Sequence, residues 1–139
     1  MPKVTRFAVS LEEPLFHQLE KLVRRHTYSN RSEYIRDLVR SKIVEAQWSD
    51  KKGPVLGTLT LVYDHHAYQL SDKLVELQHR QHKMVLAVTH VHLDSQLCAE
   101  MIMLMGESSE IRKLADLVGQ QKGVLHSTLS ISSTGRNLH

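Results

Sequence analysis

VLAVTHVHLDSQLCAEMIMLM, residues 85–105, decides how the larger part of this chain folds. Val85–Leu93 is rich in β-branched residues and reads as a strand. Leu93–Leu97 is long enough to turn the chain back, and Cys98–Met105 reads as the returning strand. His90 and His92 stand two apart, so on a strand they point to one face. Cys98, the only cysteine, arrives beside them as the second strand begins. Two imidazoles and a thiolate on one hairpin form a borderline-to-soft ligand set suited to Ni²⁺, Cu²⁺ or Zn²⁺. His79 lies near the end of the preceding helix and could supply a fourth ligand, from its own subunit or a neighbour's. His82 shares that helix face, as an alternative ligand or as an exposed residue.

Outward from the hairpin the pattern continues on both sides. Thr58–Tyr63 alternates as a strand. Residues 68–82 carry Leu70, Leu74 and Leu77 on one helical stripe, and 109–121 carry Ile111, Leu114, Ala115 and Val118 on another. Val124–Ile131 is a last strand. The order β-α-β-β-α-β is the split βαβ, ferredoxin-like plan, which makes the chain an α+β protein. Met101, Met103 and Met105 fall on one strand face and read as core filling.

The first 48 residues have a different plan. Arg6–Leu11 alternates strictly, with Phe7, Val9 and Leu11 on one face and Arg6, Ala8 and Ser10 on the other. Ser10-Leu11-Glu12-Glu13-Pro14 reads as a capping pattern with a proline in the first turn. A helix to about Arg25 follows, then a second from Asn30 or Ser32 through Ile43. Strand, helix, helix is too little to bury a core alone, and the strand lacks a partner. Both problems vanish if two chains pair their strands antiparallel and interlock their helices. Residues 47–56, with Trp48, Lys51, Lys52, Gly53 and Pro54, read as connecting chain. The expected division is thus a domain of 1–48, a linker of 49–56 and a domain of 57–139.

Charge separates the two parts. Residues 1–48 hold nine Lys/Arg against six Asp/Glu, whereas 49–139 hold nine of each. The whole excess of +3 sits in the N-terminal third, as expected where a protein meets a polyanion. A single cysteine excludes an intramolecular disulfide and a cysteine-rich zinc finger, and a lone thiol fits a reducing compartment. No apolar run reaches the roughly 20 residues that span a bilayer, and no signal-peptide pattern opens the chain, so the cytoplasm is expected. No nucleophile motif accompanies Cys98, which argues against an enzyme.

A paired ribbon of two Arg6–Leu11 strands would turn Arg6, Ala8 and Ser10 outward, and such a ribbon fits the major groove of double-stranded DNA. Arg6 can donate to guanine, Ser10 to several base edges, and Ala8 can touch a thymine methyl. Asn30, Arg31 and Ser32 mark a helix N-terminus, where free amides favour a phosphate.

Four segments carry a strong resemblance: the Arg6-to-Leu11 strand, Tyr28-Ser-Asn-Arg-Ser-Glu-Tyr-Ile-Arg-Asp37, Val62-Tyr-Asp-His-His66, and His90-Val-His-Leu-Asp-Ser-Gln-Leu-Cys-Ala-Glu100. Over residues 4–131 the chain resembles the NikR family of nickel-responsive transcriptional regulators. That resemblance implies a ribbon-helix-helix domain joined to an ACT-like regulatory domain, assembled as a homotetramer, a dimer of dimers. It implies one Ni²⁺ per chain in a planar site of His90, His92 and Cys98, with His79 from the facing subunit. Glu100 would hydrogen-bond around that site, and Glu33 with Asp37 would hold a hard cation. The implied function is a repressor that binds palindromic operator half-sites, with promoters of nickel uptake genes as targets. Ala8 departs from a frequent threonine, and Ala67 and Tyr68 replace a basic pair that some members bring to DNA. Two other classes are weighed beside it: a small-molecule sensor, as ACT-like domains often are, and a nickel storage protein without sequence-specific DNA binding.

Overall fold

The computed structural model describes residues 2–50 and 53–139; Lys51 and Lys52 of the expected linker lie outside the described residues. The elements run α1 (Glu13–Arg25), α2 (Arg31–Asp50), β1 (Val55–Asp64), α3 (Leu70–Arg80), β2 (Val85–His92), β3 (Leu97–Gly106), α4 (Ser108–Gly119) and β4 (Val124–Ser132). Two compact units form: one ends at Ile43 and takes in Gly135–His139, the other is Val44–Thr134.

In the first unit α1 and the beginning of α2 are joined by a tight turn. Pro14 falls in the first turn of α1, where its missing N–H costs no hydrogen bond. The residue at the N-cap is Glu12, and no side chain caps the helix, so Ser10 does not play the capping role its spacing suggested. At the other end Thr27 takes φ +59°. Its N–H reaches the Arg24 carbonyl, and the Tyr28 N–H reaches that of Val23. This is a Schellman closure with a threonine where glycine is usual. α2 is capped by Asn30, the residue before it, whose side-chain oxygen accepts the Glu33 N–H at 2.9 Å. Val23 and Tyr34 are buried between the helices, and Tyr28 meets Tyr34 edge-on at 5.1 Å.

Residues 2–12 form neither helix nor strand in the single chain, and Phe7 and Val9 are 73% and 66% exposed. A strand needs a ladder partner for its backbone groups, and this segment pairs with no strand among the described residues.

The second unit is a four-stranded sheet of order β2-β3-β1-β4, with every neighbouring pair antiparallel. One face carries Val55, Leu59, Leu61 and Tyr63 from β1 and Cys98, Ile102 and Leu104 from β3. These pack with Leu70, Leu74 and Leu77 of α3 and Ile111, Leu114, Ala115 and Val118 of α4. The βαββαβ order read from the sequence matches this α+β unit element by element.

Two expectations are corrected. Connecting chain was expected from residue 47, but α2 continues to Asp50 and Trp48 is 2% exposed in this core. Its indole Nε1 donates to the Ser132 carbonyl at 2.7 Å, Arg112 lies over its ring at 5.1 Å, and the Ser108 hydroxyl donates to its carbonyl at 2.8 Å. Gly57 makes the room: a Cβ there would stand 3.1 Å from the indole. A polar neighbourhood hid an aromatic anchor. Val55, at the far end of the expected linker, is likewise buried and opens β1. The second correction concerns Met101, Met103 and Met105, which are 44%, 37% and 40% exposed. Alternation puts them opposite Ile102 and Leu104, on the sheet face that α3 and α4 do not cover.

Replacing Trp48 by alanine removes an anchor shared by α2, α4 and β4. The expected loss is about 3–5 kcal/mol of unfolding free energy, read as a lower urea midpoint.

Candidate metal centre

The centre is built at the tip of the β2–β3 hairpin. Asp94 accepts the N–H groups of Gln96 (2.8 Å) and Leu97 (2.7 Å) on one oxygen, and the Leu93 N–H bonds the Leu97 carbonyl at 2.8 Å. These bonds hold the Asp94 carboxyl below the usual carboxylate range, the Leu97 amide contributing most. With the turn closed, the ladder sets the register: His92 opposite Cys98, His90 opposite Glu100. On the other side of β3, Cys98 faces Tyr63 and Glu100 faces Leu61. His90, His92, Cys98, Glu100 and Tyr63 therefore share one sheet face, as the spacing predicts for the hairpin residues.

Within that group Cys98 Sγ lies 3.3 Å from His92 Nδ1, and the thiol is fully buried. The rings of His90 and His92 are 5.1 Å apart. His90 Nδ1 is 3.1 Å from the Tyr63 hydroxyl, which donates to Glu100 Oε2 at 3.3 Å. Gln78 Nε2 donates to Glu100 Oε1 at 2.9 Å. A hydroxyl donates one proton, so the Tyr63 O–H serves Glu100 and its oxygen accepts from His90 Nδ1–H. Burial first, then the charge of Glu100, pushes the Tyr63 hydroxyl far above its ordinary range, so it remains a donor. Glu100 is a buried carboxylate with both oxygens engaged, and among the described residues no buried polar side-chain atom lacks a partner.

The structure adds a residue to which the sequence assigned no role. His65 follows β1, and its backbone is strapped to the hairpin tip. Its N–H bonds the Gln96 carbonyl at 2.7 Å, Asp64 accepts the His66 N–H at 2.8 Å, and the His66 ring meets the Ser95 carbonyl at 3.1 Å. On its other side the strap rests on Gly123, whose φ is +101° and whose carbonyl accepts the Asp64 N–H. A Cβ at Gly123 would stand 2.6 Å from that of Ala67. The His65 ring sits 5.1 Å from that of His92, nearly perpendicular. Donor atoms of His65, His92 and Cys98 all lie within 4.8 Å of one another. The signal for it was the His65-His66 doublet directly after a strand that neighbours the hairpin.

These side chains fit a metal ion of the type their chemistry suggests. Two donors bound at 2.0–2.3 Å to one ion stand roughly 3–3.6 Å apart, and the 3.3 Å between Cys98 Sγ and His92 Nδ1 falls in that span. His79 is in the last turn of α3 and outside this cluster, its ring 6.2 Å from that of His82.

The other expected site residues lie in the first unit. Arg6, Ala8 and Ser10 are exposed in the segment outside any element. Asn30 caps α2, Ser32 is exposed in its first turn, and Arg31 pairs with Glu20 while its guanidinium lies 5.0 Å above the Phe16 ring. Asp37 accepts the Tyr28 hydroxyl at 2.6 Å and pairs with Arg40 at 3.0 Å, and Glu33 accepts the Ser29 hydroxyl. Hydrogen bonding from Tyr28, then from Arg40, holds the Asp37 carboxyl below its ordinary range.

Comparison with known proteins bears on this centre. The family model of the NikR C terminal nickel binding domain matches residues 56–132. A relative from Geobacter sulfurreducens is 44% identical over the full length of both chains, and one from Desulfovibrio desulfuricans is 46% identical over 99% of each. Both are named as nickel-responsive regulators. Among solved structures, an uncharacterized protein from Thermotoga maritima is 18% identical, with a TM-score of 0.51 over 56% of this chain and 96% of that one. Over the part it covers, it shares the fold of this chain.

The lowered Asp37 carboxyl makes a pH prediction. A depressed folded value stabilises the protein above the ordinary carboxylate range, and the contribution is lost as pH falls through the depressed value. Tyr28→Phe removes the first cause. Its urea midpoint is expected below wild type at neutral pH, with the gap closing in acid.

Proposed function

This chain belongs to the NikR family of nickel-responsive regulators, and from that premise we propose that it is a nickel-dependent repressor that binds operator DNA. Its family is regulatory, so no catalytic role is assigned to Cys98. The observation that carries the proposal is the pairing of a buried thiol with an imidazole 3.3 Å away, on a hairpin that also presents His90 to the same face.

The proposed ligand set is His90, His92 and Cys98 of one chain with His79 of the partner subunit, one Ni²⁺ per chain. Bound there, the ion would supply a cross-link between subunits. The chain's own residues do the rest. Cys98 and the imidazoles give up protons to become ligands, so binding tightens as pH rises. Tyr63, Glu100 and Gln78 fix the ring of His90 through its Nδ1 side, the outer support that ligating histidines need. Glu33 and Asp37 are proposed to take a hard cation in the DNA-bound form, in place of the present Arg40 and Tyr28 contacts of Asp37.

The DNA-binding proposal rests on residues 1–48. Exposed Phe7 and Val9 are supported as the inner face of a ribbon made with a second chain, a burial worth about 1.5–3 kcal/mol per large side chain. Arg6, Ala8 and Ser10 then face the major groove, and Asn30, Arg31 and Ser32 lie by a phosphate. Two such ribbon-helix-helix dimers flanking a tetrameric regulatory core would reach two palindromic half-sites. Nickel would favour that arrangement only through a higher affinity for it. The proposed targets are promoters of nickel uptake genes in the cytoplasm. No described helix is long and apolar enough to cross a membrane.

Titration of apo-protein with Ni²⁺ should raise a thiolate-to-nickel absorption band that saturates at one ion per chain, and nickel should promote retention of promoter DNA in a gel shift. Cys98→Ala should lose both. Nickel-dependent DNA retention in that variant would sink the reading. Arg6→Ala should keep the band and reduce discrimination between operator and unrelated DNA by roughly tenfold to a hundredfold, since a bidentate base contact is worth about 1–3 kcal/mol.

A further inference from the structure

On the far side of β1 from the metal centre, α4 and β4 line a separate cleft of about 260 Å³. Its walls are Leu59, Arg112, Ala115, Asp116, Ser127 and Leu129. Arg112, Ala115 and Asp116 stand at i, i+3 and i+4, on one side of α4. Leu129 is opposite Leu59 in the β1–β4 ladder and Ser127 is opposite Leu61, so both turn to the helix-covered face. Gly119 lets helix and strand close on each other beyond Asp116: a Cβ there would stand 2.6 Å from Ser127 Oγ. Arg112 and Asp116 are opposite in charge and one helical turn apart, a spacing at which ion pairs are common. Yet among the described residues neither makes an ion pair, and the Ser127 hydroxyl makes no hydrogen bond. The Arg112 guanidinium is held instead over the Trp48 ring at 5.1 Å. Both charged side chains are exposed, so that a ligand can reach them, and the floor between them is apolar.

We propose that this cleft binds a small zwitterion, a free α-amino acid with a short apolar side chain. The ligand's carboxylate meets the Arg112 guanidinium, whose planar fork matches it. Its ammonium meets the Asp116 carboxylate, and the Ser127 hydroxyl can donate to the one or accept from the other. Its side chain lies on Leu59, Ala115 and Leu129. A ligand of a single charge would cover the opposite group of the cleft without pairing it, which is costly; a zwitterion pairs both. Size points the same way. Drug-sized ligands occupy clefts of about 300–1,000 Å³, and this one is smaller. All six lining residues belong to the second unit of one chain and none is a proposed nickel ligand, so the proposal stands apart from the nickel reading.

The test is calorimetric titration of the full-length protein with L-leucine and with two analogues that each lack one charge. 4-Methylpentanoate lacks the ammonium and 3-methylbutylamine lacks the carboxylate. L-Leucine should bind saturably at one per chain, and each analogue roughly tenfold or more weaker, as the loss of a charged hydrogen bond requires. Glycine should bind more weakly than leucine, each buried methylene lost costing about fourfold. Asp116→Asn should weaken L-leucine by a similar factor and erase its advantage over 4-methylpentanoate, and Arg112→Gln should erase its advantage over 3-methylbutylamine. Asp116 is exposed and packs in no core contact, so Asp116→Asn carries the test even where Arg112→Gln, which uncovers Trp48, loses stability. An unchanged far-UV circular dichroism spectrum and thermal midpoint in Asp116→Asn exclude misfolding as the cause of a loss. The proposal is overturned if L-leucine gives no saturable heat at millimolar concentration, if Asp116→Asn binds it as wild type does, or if either analogue matches it on wild type. The nickel reading fails separately, as a nickel band that survives Cys98→Ala.

Discussion

The register between β2 and β3 is the constraint on which the site depends. Side chains alternate along a strand, so a slip of one residue would turn His90 and His92 to the open face and separate them from Cys98. The Asp94 carboxylate prevents that slip by accepting two amides at the hairpin tip, which sets the length of the turn. A bulge lies at the opposite end of the pairing, between Val85 and Ala87, where the irregularity does not disturb the ligands. The same register carries across β3 to β1 and brings Tyr63 beside Cys98.

Around that frame the polar side chains form one connected group. Glu100 is buried as a carboxylate, which is costly unless its oxygens are satisfied. Gln78 from α3 and Tyr63 from β1 satisfy them, and Tyr63 passes the connection to His90. One network thus ties a helix and both neighbouring strands to the ring of a proposed ligand. The Gln78 contact is the place where α3, whose last turn holds His79, touches the network.

Much of the second unit was legible because its periodicities are clean. Leu70, Leu74 and Leu77 recur at helical spacing, and β1 alternates for its whole length, so the element order followed from local pattern alone. His90, His92 and Cys98 stood out because their types are rare and their spacing puts them on one face. What was hidden depends on contacts distant in sequence. Trp48 sits among Gln47, Ser49 and Asp50 and shows no apolar stripe, and only the gap left by Gly57 explains its burial. The methionine row has the pattern of a core strand, and its exposure follows from both helices choosing the other face. His65 joins the cluster through a loop-to-turn strap that no spacing rule describes. The cap expected of Ser10 failed because α1 begins at Glu13, leaving Glu12 at the capping position.

Trp48 has one more consequence. It is the only tryptophan in the chain, and it is enclosed by α4, β1 and β4 with a guanidinium over its ring. Indole emission therefore originates from a single buried location inside the second unit. The protein carries its own optical reporter in that core, with no second indole to blur the signal.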